Sequence, residues 1–162
     1  PCPCGYYNHP DRPCLCNAGS VQKYMNRISG PLLDRIDIQI EIVPVPFEKI
    51  SEQKPSEPSA DIRERVIQAR EIQNQRFADA NHIYCNAQMT SRHLHQYVVP
   101  AQDGLKPLKN AMQRLSLSAR AYDRILKVSR TIADLDQAEN IKPYHLAEAI
   151  NYRNLDRESW GT

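Results

Sequence analysis

Four of the five cysteines in the sequence lie within its first sixteen residues, in the segment PCPCGYYNHPDRPCLC. They form two Cys-x-Cys pairs, Cys2 with Cys4 and Cys14 with Cys16. Four thiolates at such spacing can bind one tetrahedral Zn²⁺ ion, with His9 as a possible substitute ligand. We therefore predict a zinc site, with two disulfides or four free thiols as the alternatives. Because four protein ligands leave no position for a substrate, the predicted zinc is structural rather than catalytic.

Two arginines have sequence contexts that suit contact with phosphate. Arg35 lies in LLDRIDI, and its permanent charge and planar fork match a phosphate group. At a subunit edge, such an arginine can stabilise charge on a γ-phosphoryl group in a neighbouring subunit. The alternative is a surface ion pair with Asp34 or Asp37. Arg120 falls in the first turn of a predicted helix, where the macrodipole favours anions. Its alternative is a partly exposed side chain whose stem packs on neighbouring helices.

The other polar residues do not form a recognisable catalytic set. The sequence has no Gly-rich phosphate loop followed by Lys, and no Ser-His-Asp set or carboxylate pair is evident. Cys85 stands alone in HIYCNAQ, and we interpret it as a small buried hydrophobic residue. Arg124, Lys127 and Arg130 follow Arg120 along one predicted helix. We interpret them as a solvated face, with a nucleic-acid-binding stripe as the alternative.

The elements that must position Arg35 are a short helix and one strand. NAGSVQKYMNRIS has apolar residues at helical spacing, and Gly30-Pro31 would end that helix. RIDIQIEIVPV alternates apolar and polar residues, which predicts a half-buried strand over Ile36–Val43. It is the one strand we predict, so its partner would come from a missing segment or from a second copy. The stretch PVPFEKISEQKPSEPS, from Pro44 to Ser59, has four prolines with Ser, Glu and Lys and indicates an exposed linker, whose limits we set at residues 47–58.

The rest of the chain has the apolar periodicity of helices. We expect Ser59 to cap the first, a second to start at Thr90 or Ser91, and Ser118 to cap the longest. Pro143 suits the first turn of the last helix. The five predicted helices lie in ADIRERVIQAREIQNQRF, TSRHLHQYV, QDGLKPLKNAMQRL, SARAYDRILKVSRTIADLD and KPYHLAEAINYR. Five helices in about a hundred residues predict a mainly α fold, a helical bundle.

Composition narrows the class of protein further. The chain has 162 residues, of which 41% are hydrophobic and 25% charged, with a net charge of +2, as is ordinary for a globular protein. No apolar run is long enough to span a membrane, and no signal peptide is visible. We therefore expect a cytoplasmic protein with no membrane partner. Because the sequence begins with Pro rather than Met, we expect it to be a piece of a longer protein.

Five blocks of sequence, in order from residue 1 to about 157, resemble the C-terminal part of the magnesium-chelatase-like AAA+ ATPases, in their bacterial ComM-type competence-protein branch. They are PCPCGYY with its following Cys-x-Cys pair, RISGPLLDRIDIQIEI, IYCNAQM, LSARAYDRILKVSRTIADL and HLAEAINYRNLDR. The resemblance implies that residues 1–46 are the tail of an α/β nucleotide-binding core, with the four-cysteine knuckle and the predicted strand. It implies a helical lid at 59–157, followed by a tail at 158–162.

The resemblance also implies roles for both arginines. Arg35 matches the arginine finger, which acts on ATP bound by the adjacent subunit, and Arg120 matches the sensor-2 arginine, which contacts phosphate from the lid. The parent protein would be a homohexameric ATPase that uses ATP and Mg²⁺ to drive branch migration of DNA during natural transformation. The fragment lacks the P-loop and the Walker B acid, so alone it would be inactive, a monomer or a strand-paired dimer.

Two alternative functions stay open. The first is a chelatase-type ATPase subunit, as in the wider family. The second is a zinc knuckle that is not an enzyme and binds nucleic acid, with Tyr6 and Tyr7 stacking on bases.

Overall fold

The computed structural model describes residues 2–40, 42, 44–51, 56–80, 82–100, 102–115 and 117–153. Within these ranges the chain forms eight α-helices, and the mainly α prediction is confirmed. The predicted tail at 158–162 lies outside the described residues. A short 3₁₀ helix spans Asn86–Gln88, and the α-helices are α1 Ala18–Met25, α2 Gly30–Leu33, α3 Phe47–Ser51, α4 Ser59–Arg76, α5 Ser91–Tyr97, α6 Gln102–Arg114, α7 Ala119–Leu135 and α8 Pro143–Asn151.

Helix α7 lies at the centre of the bundle. It packs against α4, α5, α8 and the 3₁₀ helix, while α6 packs against α8. Its apolar side is fully buried at Ile125 and Ala133, and Leu146 of α8 and Leu108 of α6 complete the same core. Ser118 caps α7 as predicted, because its Oγ accepts a hydrogen bond from the backbone N–H of Ala121 at 3.2 Å. The helix therefore begins where the sequence predicted, with Arg120 in its first turn.

The other helices of the bundle match the sequence with local differences. Helix α5 begins at Ser91 and α8 begins at Pro143, as predicted. The N-cap position of α4 is Pro58, which forms no side-chain capping hydrogen bond, and the predicted cap Ser59 is already helical. The apolar residues of α4 are buried only near its C-terminal end: Ala69 is buried, whereas Ile62 and Val66 are exposed.

The strand predicted over Ile36–Val43 is wrong. Residues 36–40 and 42 form no strand, and residues 41 and 43 lie outside the described part of the chain. A strand needs a neighbouring strand to share its hydrogen bonds, and the described residues provide none. One backbone hydrogen bond, from Gln39 N–H to the Tyr152 carbonyl at 2.9 Å, joins the segment to the end of α8 instead. The apolar side chains of this segment are exposed.

Two short helices lie where none was predicted. Gly30-Pro31, predicted to stop a helix, opens α2, because proline is tolerated in a first turn. Helix α3 lies within the segment predicted as a linker. None of the described helices combines the length and hydrophobicity needed to cross a membrane.

Candidate functional site

The N-terminal cysteines lie in two tight turns packed on helix α1. Gly5 adopts a left-handed backbone, φ 81°, and its N–H donates to the Cys2 carbonyl at 3.1 Å, which brings Cys4 back beside Cys2. Asn17 caps α1 through its side chain, and Val21 of α1 packs with Cys2. This small core buries little apolar surface, so it depends on its cysteines to hold its shape.

The four cysteine sulfurs form one compact cluster, as the spacing predicted. The Sγ of Cys2 lies 3.3 Å from that of Cys4 and 3.7 Å from that of Cys14, and Cys4 and Cys14 are 3.6 Å apart. All four sulfurs, including that of Cys16, lie within 4.8 Å of one another, and none is in a disulfide. A Zn²⁺ ion with Zn–S bonds of about 2.3 Å spaces its sulfurs about 3.8 Å apart. The cluster therefore fits a tetrahedral zinc ion.

His9 is not part of this cluster. Its Nδ1 accepts a hydrogen bond from the backbone N–H of Asp11 at 3.1 Å, and its ring meets the edge of Tyr6. Tyr6 also lies under the guanidinium of Arg12, which donates to the Tyr6 hydroxyl at 2.9 Å. Tyr7 packs against the sulfur cluster. Of the two tyrosines considered for base stacking, only Tyr6 is exposed.

Hydrogen bonding inside the cluster separates the thiol pKa values. The backbone N–H of Tyr6 and the Cys2 side chain lower the pKa of Cys4 to about 6. For Cys14, the backbone N–H of Cys16 lowers the pKa, but burial and the thiols of Cys4 and Cys2 outweigh it and raise the pKa to about 12. Since neighbouring thiolates repel each other, the cluster does not ionise fully without a cation. A divalent metal, which binds thiolates, would remove that repulsion.

Arg35 follows helix α2 and exposes its side chain. Its guanidinium donates to the Pro31 carbonyl at 2.9 Å, one turn earlier. The ion pair predicted as the alternative, with Asp34 or Asp37, is not formed by Arg35. Asp37 pairs instead with Arg124 of α7. The guanidinium of Arg35 therefore keeps most of its donors directed to solvent, where they can reach an anion.

Arg120 is exposed in the first turn of α7. Among the residues that the structure describes, it has no hydrogen bond or ion pair. The later basic residues of the helix are engaged within the chain: Arg124 with Asp37, Lys127 with the Ala87 carbonyl at 3.0 Å, and Arg130 with Asp134. Neither a solvated face nor a nucleic-acid stripe describes Arg130, which is only 4% exposed. Arg120 is thus the cation of α7 that remains available to a ligand.

Arg153, which follows α8 and is fully buried, has no local signal in the sequence. Its Nη1 donates to the Ile36 carbonyl at 2.5 Å, and its Nη2 lies 4.0 Å from the Asp34 carboxylate. These two partners are the residues on either side of Arg35. Both residues lie more than a hundred positions before Arg153 in the chain, so no rule based on sequence spacing could have connected them with Arg153.

A second set missed from sequence is a buried polar network centred on Asp134. The carboxylate is fully buried and accepts hydrogen bonds from Arg76, Arg130 and Asn86. Only the spacing of Arg130 and Asp134, four residues apart on one helix, was a visible signal. Because Asn86 is buried in this network, it is not available to the half-buried thiol of Cys85.

Comparison with known families gives two adjoining matches along the chain. Residues 56–153 match the family described as "Magnesium chelatase, subunit ChlI C-terminal", and residues 1–50 match "Magnesium chelatase, subunit ChlI". The first match covers the helical bundle from α4 to α8. The second covers the cysteine cluster and the segment that carries Arg35. The gap between the two matches, residues 51–55, falls within the segment predicted as a linker.

Similar proteins come from several bacteria. The "Uncharacterized protein YifB" of Salmonella typhimurium is 40% identical over 161 residues, and that of Escherichia coli is 39% identical over 160 residues. The "Competence protein ComM" of Haemophilus influenzae is 38% identical over 158 residues. Each alignment covers 97% of this chain and 30% of the relative. The chain thus spans about a third of the length of the curated relatives it matches.

Proposed function

The chain belongs to the magnesium chelatase ChlI family, and from that membership we propose that it is the C-terminal part of a ComM-like AAA+ ATPase. In this proposal the parent protein is a homohexamer that binds ATP and Mg²⁺ through residues outside this sequence. The chain contributes two arginines, Arg35 and Arg120, and a zinc knuckle. The observation that carries the proposal is that Arg35 and Arg120 both have exposed guanidinium groups. Their two segments are joined by the ion pair between Asp37 and Arg124.

Arg35 acts on the ATP held by the adjacent subunit. Phosphoryl transfer spreads negative charge over the γ-phosphoryl oxygens, and a guanidinium placed there stabilises that charge. Arg35 suits this role because its side chain is exposed while its charge is not neutralised by a carboxylate in the described chain. Its bond to the Pro31 carbonyl aims the side chain without removing its charge.

Arg120 contacts the phosphates of ATP bound in its own subunit. The first turn of α7 offers backbone N–H groups and the positive end of the helix dipole. Ser118 satisfies the Ala121 N–H, so the cap is ordered and the neighbouring Arg120 can be presented in one direction. With α7 at the centre of the bundle, a contact between Arg120 and nucleotide would fix the position of the whole lid.

The cysteine cluster holds one structural Zn²⁺ through Cys2, Cys4, Cys14 and Cys16. Bound zinc would cross-link the two turns that the small apolar core cannot hold alone. Since all four coordination positions come from protein, the site takes no part in the reaction. Its contribution is to brace the segment that leads into α1 and α2, and so to Arg35.

The parent protein uses ATP to move along DNA and to drive branch migration of recombination intermediates. This part of the proposal rests on similarity to the Haemophilus influenzae protein, whose name links it to competence. A chelatase-type role is the second candidate, favoured by the family descriptions. If branched DNA raises ATP turnover, the first candidate is supported. If turnover rises instead with a partner protein that inserts a metal ion into a porphyrin, the second is supported.

The central test is ATP turnover by the full-length parent protein with Arg35→Ala. We expect kcat to fall on the order of 10³-fold while ATP still binds, because the finger acts in the transition state. Arg63→Ala, which removes an exposed arginine from α4, is the matched control and should leave turnover unchanged. Wild-type turnover by Arg35→Ala would refute the finger role.

A further inference from the structure

We propose that Arg153 is a positioning residue that holds Arg35 in its working orientation and makes that orientation depend on the helical bundle. The inference rests on the proposed role of Arg35 in ATP hydrolysis. It assigns a function to a buried arginine that contacts no substrate. The evidence for the inference is the contacts made by the residues on either side of Arg35, rather than by Arg35 itself.

Arg153 contacts the residues on both sides of Arg35, through a hydrogen bond to the Ile36 backbone and a longer ionic contact with the Asp34 side chain. Its Nη1 donates to the carbonyl of Ile36 at 2.5 Å, and its Nη2 faces the Asp34 carboxylate at 4.0 Å. Arg153 is fully buried, and the Asp34 side chain is 15% exposed, whereas Arg35 is exposed. The guanidinium therefore fixes the two neighbours of Arg35 and leaves the Arg35 side chain free to reach outward.

Two further contacts attach the same short segment to the bundle. The Gln39 N–H donates to the Tyr152 carbonyl at 2.9 Å, directly beside Arg153 in sequence. Asp37 pairs with Arg124, which lies one turn after Arg120 on α7. Residues 34–39 are not held by a sheet in the described chain, so these contacts replace the strand pairing that would otherwise set their position.

The consequence is a mechanical link between the two arginines of the proposed ATPase. Arg120 and Arg124 belong to one rigid helix, and Arg124 binds the segment that carries Arg35. A lid that moves when Arg120 contacts nucleotide would carry residues 34–39 with it. An arginine finger must be placed within a fraction of an ångström, and a shift of about 1 Å can cost on the order of 10²-fold in rate.

The test measures ATP turnover by the full-length protein with Arg153→Lys, alone and combined with Arg35→Ala. Lysine keeps the charge but lacks the fork, so it cannot hold Ile36 and Asp34 together. We expect kcat to fall roughly 10- to 100-fold with an unchanged KM for ATP. In the Arg35→Ala background, the same change should have no further effect, because Arg153 acts through Arg35. Arg63→Lys is the matched control.

Three outcomes would overturn the inference. One is a folded Arg153→Lys protein with wild-type kcat, and another is an equal loss of kcat with and without Arg35. If Arg153→Lys does not fold, Asp34→Asn takes its place, since it removes the carboxylate that faces Arg153; wild-type kcat in that variant is the third. Wild-type turnover by Arg35→Ala alone would instead remove the proposed finger, and this inference with it.

Discussion

Replacing Asp134 with asparagine should strongly destabilise the helical bundle. The carboxylate is fully buried and accepts four hydrogen bonds. Its Oδ1 accepts from Arg76 Nη2 at 2.5 Å and Arg130 Nε at 3.0 Å. Its Oδ2 accepts from Arg76 Nη1 and Asn86 Nδ2, both at 2.7 Å. The carboxylate thus joins α4, α7 and the 3₁₀ helix.

The expected loss follows from the geometry. An asparagine NH₂ group in place of either oxygen faces two donors, so two of the four hydrogen bonds are lost, at least one of them from a guanidinium. Hydrogen bonds to charged groups contribute about 1.5–3 kcal/mol each, so the loss is about 3 kcal/mol or more. Burial already lowers the pKa of Arg130, mainly by desolvation, and the Asp134 charge opposes that effect. Removing one partner of a buried ion pair costs about 3–5 kcal/mol, which agrees.

Thermal unfolding followed by circular dichroism measures this loss. For a bundle of this size, about 3 kcal/mol corresponds to a fall in Tm of roughly 12–24 °C. Asp79→Asn, an exposed change of the same chemistry on the turn after α4, should leave Tm within a few degrees of wild type. If Asp134→Asn had the same Tm as the Asp79→Asn control, the buried network would not stabilise the bundle and the reasoning would fail.

Two other predictions concern the cysteine cluster and the end of α7. Elemental analysis should find one zinc per chain in the wild type and in Cys85→Ser but none in Cys14→Ser; zinc retained by Cys14→Ser would contradict the site. The Tyr144 hydroxyl, and then His145, lower the pKa of Asp136, so this contribution to stability is present above the unfolded value of about 3.9 and is lost as pH falls through the lowered folded pKa. Tyr144→Phe should raise the Asp136 pKa in an NMR titration and weaken the pH dependence of stability below about pH 4; an unchanged pKa would refute this.

The sequence predicted what depends on neighbours along the chain. Apolar spacing and capping residues located α7 and α8, because a helix is built from contacts three and four residues apart. The cysteine cluster was also predictable, since each pair spans three residues and the two pairs are close in sequence. The positions of Arg76 and Arg153 were not, because their partners lie 58 and 117 positions away. Only the packing of helices brings these residues together.

The segment after Arg35 explains how a correct pattern led to a wrong element. Alternation of apolar and polar residues is typical of a strand with two different faces. The polar face, however, is the one that meets the bundle: Asp37 binds Arg124, and Gln39 binds the Tyr152 carbonyl through its backbone. The isoleucines on the other face are exposed, Ile38 by 48% and Ile40 by 67%.

That inversion has a physical cause. Burying isoleucines stabilises a segment only where apolar side chains face them, and the described bundle offers this segment a charged helix face at Arg124 and a buried guanidinium at Arg153. Carboxylate and carbonyl oxygens match those donors, and isoleucine side chains do not. The ion pair and the carbonyl contacts therefore decide which face turns inward. Arg35 stands at the start of a segment that is held by an ion pair and carbonyl contacts rather than by strand pairing, so we expect changes of charge at Asp37 or Arg124 to shift its position.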